Sequence, residues 1–137
     1  MGAWSHTPFG NDGAADWAAE LAESSDLSVI EAAIDLVLDA GDGYLDASEA
    51  EEAIAAIEVL AQLLGRGTAT DELPMNVTDW LASKPPQPTP TLLDKARQAA
   101  RRIVGDDSEL AELWDDSDSA GEWRDSMAEL EGAVSAG

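Results

Sequence analysis

Apolar residues recur at helical spacing along nearly the whole chain, and the alternation that marks a strand never persists over a useful length. Ala14, Trp17, Ala18 and Leu21 stand at i, i+3, i+4 and i+7, with Asp16, Glu20 and Glu23 turned away. That predicts a helix opening at Asn11 or Asp12, either of which can cap it by accepting from the orphan N–H groups of the first turn. Ile30, Ala33, Ile34, Val37 and Leu38 predict a second helix, introduced by Ser28 and Glu31 as a capping box and closing between Asp39 and Gly41. The most apolar stretch runs from Asp46 to Gly65. There Ala53, Ile54, Ala56, Ile57, Leu60, Ala61, Leu63 and Leu64 cover more than one stripe, as in a central helix packed on several sides. Asp46 with Glu49 is its expected capping box, Tyr44 and Leu45 sit where a hydrophobic staple would, and Gly65 and Gly67 stop it.

After a polar loop, Pro74 and Asn76 introduce a short helical segment whose Val77, Trp80 and Leu81 share a face. Residues 84–90 (KPPQPTP) form a stiff connector, and Thr89 as N-cap with Pro90 at the first helical position opens the next helix. Leu92, Leu93, Ala96, Ala99, Ala100, Ile103 and Val104 line its inner face up to Gly105, while Lys95, Arg97, Arg101 and Arg102 are expected to pair with carboxylates of the same chain. Asp107-Ser108-Glu109 caps a short helix with Leu110, Leu113 and Trp114, and Trp123, Met127, Leu130 and Val134 stand at helical spacing in the last. The fold class is therefore all-α: a single compact bundle of six or seven short helices over residues 1–137, read as one helical domain. Residues 1–11 are expected to form an ordered N-terminal arm that docks Trp4 and Phe9, and 84–90 to lie inside the domain.

Two motifs fail on their chemistry. The loop from Asp39 to Glu49 matches the second half of a calcium-binding EF-hand, but with Glu49 as the twelfth position, the first and third fall on Leu38 and Ala40, which offer no side-chain oxygen. The start looks like an acylation signal, yet that signal needs Ser or Thr where this chain has His6.

Composition then narrows the function. The chain carries 29 Asp and Glu against 7 Lys and Arg, a formal net charge of -22. Such a field repels nucleic acid and anionic membranes and favours a basic protein or a cation. It also fits salt adaptation or solubility alone. With no cysteine and one histidine, thiolate metal sites, disulfides and multi-histidine sites are excluded, and neither a cofactor nor a metal site is expected. No basic and apolar leader or membrane-length apolar run is visible, which points to the cytoplasm.

Three segments carry a resemblance. Gly2 to Asp12 (GAWSHTPFGND), Tyr44 to Leu64 (YLDASEAEEAIAAIEVLAQLL) and Ser108 to Trp114 (SELAELW), with the later Trp123, stand in the order and spacing of a bacterial family, the domain of unknown function 4259 (DUF4259). The chain resembles that family over nearly its whole length and departs from it at Ser5, where Gly is usual. The resemblance implies one bacterial helical domain and no stated activity. It singles out Trp4, Phe9, Trp17 and Trp114 as core aromatics, and Asn11, Asp12 and Glu58 as polar positions that a core does not demand.

Glu58 is the most informative acid, because a carboxylate among Ile54, Ala55, Ile57, Val59 and Ala61 must reach solvent or find a partner. It either lies on an exposed line, pairs with a base such as Arg101 or Arg102, or joins Asn11 and Asp12 in a polar site for a cation or a partner's basic group. No nucleophile elbow, phosphate-cradling glycine loop or spaced metal set is present, so an enzyme is the least favoured class. The favoured reading is a protein-binding module of the immunity or antitoxin type that engages a basic partner. A salt-adapted housekeeping protein and a nucleic-acid mimic are the alternatives.

Overall fold

The computed structural model describes residues 12–24, 26–41, 43–65, 75–83 and 86–135. The expected N-terminal arm with Trp4 and Phe9, the Asn11 cap, the side chain of Asp12, the whole 66–74 segment and the first residues of the proline-rich connector lie outside that set. Among the described residues the chain forms seven α-helices: α1 Asp12–Ala22, α2 Ser28–Asp39, α3 Ala47–Leu63, α4 Met75–Ala82, α5 Pro90–Ile103, α6 Glu109–Asp115 and α7 Ala120–Ser135. The all-α expectation holds.

α3 is the hub, for the reason its pattern suggested. Ala50 and every residue from Ala53 to Ala61 are buried, so the helix meets neighbours on all sides: α1, α2, α5, α6 and α7. Small residues at 50, 53, 55, 56 and 61 let those helices approach closely. α1 delivers Ala14, Trp17, Ala18 and Leu21 to the core, α2 delivers Ile30, Ala33, Ile34 and Val37, and α7 delivers Trp123, Met127, Leu130 and Val134. α4 packs on α1, and its Trp80 Nε1 donates to the Ser24 carbonyl at 2.9 Å, tying down the α1–α2 turn.

The helix ends follow the sequence in part. Thr89 caps α5 by accepting from the Leu92 N–H at 3.1 Å, with Pro90 beginning the helix. Ser108, fully buried, accepts from the Ala111 N–H at the start of α6. Gly41 and Gly65 take the left-handed conformation (φ +53 and +75) that closes α2 and α3. Two expected capping boxes do not form. At α2, Asp26 does the work: its Oδ1 accepts from the Ser28 N–H at 3.0 Å and from the Ser28 hydroxyl at 2.6 Å, and these bonds hold the Asp26 carboxyl below the usual carboxylate range. At α3, Asp46 occupies the N-cap position with no side-chain bond, and the Ala47 N–H donates instead to Glu109 Oε1 at 2.9 Å. The cap of the central helix comes from α6, 62 residues away.

The staple expectation splits as well. Leu45 is fully buried, whereas Tyr44 is exposed. Leu45 also forms one isolated parallel bridge with Ser108: the Leu45 N–H donates to the Asp107 carbonyl at 2.8 Å, and the Glu109 N–H donates to the Leu45 carbonyl at 2.9 Å. Two loops far apart in sequence thereby meet at the adjoining starts of α3 and α6.

Candidate functional site

Glu58 is fully buried in the middle of α3, which removes the exposed-line reading. Gln62, one turn on, donates its Nε2 to Glu58 Oε2 at 2.7 Å. The bases considered as partners point elsewhere: Arg101 Nε donates to Glu131 Oε2 at 2.7 Å, and Arg102 donates to backbone carbonyls. Asn11 and the side chain of Asp12, the other members of the expected polar corner, lie outside the described residues. Trp17 on α1 is buried, and its indole N–H finds no hydrogen-bond acceptor among the described residues. Trp114 is half-buried and stacks on Trp123, ring centroids 6.3 Å apart and planes within 6° of parallel, with the Arg124 guanidinium 5.8 Å from the Trp123 centroid.

Charge is segregated. α1, α2, α3, α4 and α6 contain no Lys or Arg; the five described cations are Lys95, Arg97, Arg101 and Arg102 on α5 and Arg124 on α7. Each is held within the fold. Lys95 bridges to Glu31 (3.0 Å) and Asp35 (3.2 Å) on α2, and those two bonds raise its pKa. Arg97 pairs with Asp94 (2.7 Å), whose carboxyl is lowered by bonds from Arg97 and Gln98. Arg101 pairs with Glu131, and Arg124 pairs with both oxygens of Asp115 at 2.9 Å.

Arg102 is the exception in kind. Its guanidinium donates to four main-chain oxygens: Gly41 (3.1 Å), Gly43, Asp106 (2.8 Å) and Asp107 (3.3 Å). Carbonyls of the loop that resembles half of a calcium site thus turn to an arginine of the same chain. Among the described residues no group of three His, Cys, Asp or Glu side chains is placed to hold a metal ion.

Carboxylates crowd on the elements that contain no base. Glu52 on α3 has a raised pKa, first from partial burial and then from the charges of Glu20, Glu49 and Asp16. At the other end of the same strip, the Tyr44 hydroxyl donates to Glu112 Oε1 at 2.9 Å. That bond, with smaller effects of desolvation and of the Glu112, Glu109 and Asp46 charges, pushes the phenol up to about 12. Asp46, Glu49 and Glu52 step along the start of α3 at three-residue spacing and join the two ends. The result is an acidic band from α6 across the start of α3 to α1. Sequence reasoning missed Tyr44, Glu109 and Glu112 as a group, because Tyr44 and Glu112 are 68 residues apart and no local pattern couples them.

A family model described as Domain of unknown function (DUF4259) matches residues 2–126, from the amino terminus into α7. No curated protein and no solved structure matches the chain.

Proposed function

The chain belongs to the DUF4259 family, and from that premise we propose that it is a non-enzymatic protein-binding module whose acidic band engages a basic protein. The observation that carries this reading is the segregation of charge: every described cation lies on α5 or α7 and is held by internal partners, while Asp16, Glu20, Asp46, Glu49, Glu52, Glu109 and Glu112 collect on elements that contain no base. A uniform solubility coat or general salt adaptation would spread both signs more evenly. Crowded like charges carry an electrostatic cost, seen in the raised pKa of Glu52, that an incoming cationic surface relieves, and the same field accelerates association at low salt. No helix among the described residues is long and apolar enough to cross a membrane, and the proposed setting is the cytoplasm. Masking the cationic groove of a nuclease, as an immunity or antitoxin protein does, is the narrower form of the same proposal.

The test is calorimetric titration of the chain against a basic ribonuclease at low and at physiological salt. The wild type should bind with an affinity that falls steeply with salt, and the combined Glu20→Gln, Glu49→Gln and Glu52→Gln variant should bind at least about tenfold more weakly. Equal binding by the two proteins, or binding indifferent to salt, would refute the reading.

A further inference from the structure

Four large apolar side chains stand exposed among the described residues: Leu36, Tyr44, Met75 and Leu113. Two of them flank the same residue, Glu112. Tyr44, 53% exposed, is hydrogen-bonded to Glu112, and Leu113, 38% exposed, is the next residue. Glu109, Glu112 and Leu113 stand at i, i+3 and i+4, so they share one face of α6. The packing buries Leu110 and leaves Leu113 exposed beside Glu112.

We propose that Tyr44 and Leu113, with the carboxylates around them, are the seat for an arginine-bearing segment of a basic protein. The inference rests on the partner surface proposed above and names its anchor. Three observations converge. The phenol ring is pinned at its far end by the Glu112 bond, so little side-chain freedom is lost when a partner covers it. The carboxylates are also pre-set: Glu112 is oriented by Tyr44, Glu109 by the Ala47 N–H, and Asp46, relieved of its capping role by Glu109, makes no side-chain cap bond of its own. The adjoining cation, Arg102, is directed to four main-chain oxygens. An exposed aromatic ring edged by acids, with an apolar contact beside it, complements a guanidinium. The planar cation stacks on the ring while its N–H groups reach the carboxylates, and the partner's neighbouring apolar residue covers Leu113. An ammonium has the charge without the plane.

The chain holds a single tyrosine, so the full protein labelled with carbon-13 in its tyrosine ring reports on this seat alone by NMR. The probe is a synthetic peptide of alternating arginine and leucine, run beside versions with citrulline or lysine in place of arginine. At low salt the arginine peptide should shift the Tyr44 ring signals saturably. Tyr44→Ala and Leu113→Ala should each weaken binding about tenfold, with circular dichroism confirming the fold, and Tyr44→Phe, which keeps the ring, should weaken it less than about threefold. The citrulline peptide should leave the signals in place. If the arginine peptide binds while the ring signals stay still, or binds both alanine variants as tightly as wild type, the seat is wrong and the broader acidic surface stands. Equal affinity for the lysine peptide overturns the stacking of a guanidinium. No binding of the arginine peptide at low salt overturns both the seat and the partner surface.

Discussion

Arg102 should matter more to stability than any other surface cation, and the consequence of removing it can be worked from its contacts. Its guanidinium spans two loops, taking the Gly41 and Gly43 carbonyls on one side and the Asp106 and Asp107 carbonyls on the other. Beside it lies the Leu45–Ser108 bridge, and Asp107 is held at φ 58, a conformation that non-glycine residues adopt at some cost. A hydrogen bond to a charged donor contributes about 1.5–3 kcal/mol net when shielded. Arg102 is only half-buried and the 3.3 Å contact to Asp107 is long, so the four bonds do not add. Arg102→Ala should therefore cost about 2–4 kcal/mol, which for a chain of this length lowers the melting temperature by roughly 6–20 °C. Arg102→Lys keeps the charge but not the fork, and should recover less than about half of the loss. Thermal unfolding measures the cost. Hydrogen exchange at the Leu45 and Glu109 amides, whose bonds form the bridge, locates it, since both should lose protection in the alanine variant. A change within about 0.5 kcal/mol, with both amides still protected, would show that the bridge holds the loops unaided and would refute the clamp.

Three further outcomes follow from the same contacts. With its pKa pushed up to about 12, Tyr44 should be only about one-tenth ionised near pH 11, where an ordinary tyrosine is about nine-tenths ionised. The chain's sole tyrosine makes this readable by ultraviolet absorbance, and Glu112→Gln should move the midpoint most of the way back toward 10. Because the folded pKa lies above the unfolded one, the stabilisation is present below about pH 10 and is lost as pH climbs toward 12, so the wild type should lose more stability across that window than Glu112→Gln. At the start of α3, Glu109→Ala should cost about 1 kcal/mol in urea unfolding, whereas Asp46→Ala should cost less than about 0.5, the reverse of what a local capping box predicts. Glu58→Ala, which leaves a cavity and strips Gln62 of its acceptor, should destabilise by about 2–4 kcal/mol, and the isosteric Glu58→Gln by no more than about 1.5. Similar costs for both Glu58 variants would argue against the carboxylate's bond to Gln62 as a structural element.

Much of the fold is legible along the chain because helices are local. The faces of α1, α2, α5 and α7 can be read from spacing alone, Thr89 caps α5 where the pattern places it, and within Asp107-Ser108-Glu109 the cap of α6 falls to Ser108. The exposure of Leu113 is not legible because α6 is only two turns long, and a short helix can rotate to bury Leu110 and Ala111 while turning Leu113 outward. Glu58 stands out in the sequence as an acid among apolar neighbours, but its burial depends on α3 being covered on every flank, which no single helix encodes.

Local sequence thus determined the helix inventory, the excess of acid, the absence of thiolate chemistry, and the apolar girth that makes α3 central. These properties depend on side chains within a turn or two of one another, or on counting. Tertiary structure alone decided that Glu109 displaces the expected capping box of α3 and that Arg102 fills the carbonyls of a loop that looks like half a calcium site. It also decided that Tyr44 and Glu112 meet across 68 residues on the acidic band. The physical reason is common to all of these. A hydrogen bond or a charge acts over a few ångströms in space, and only the packing of α6 against the start of α3 sets which of many chemically equivalent acids and donors fall within that distance.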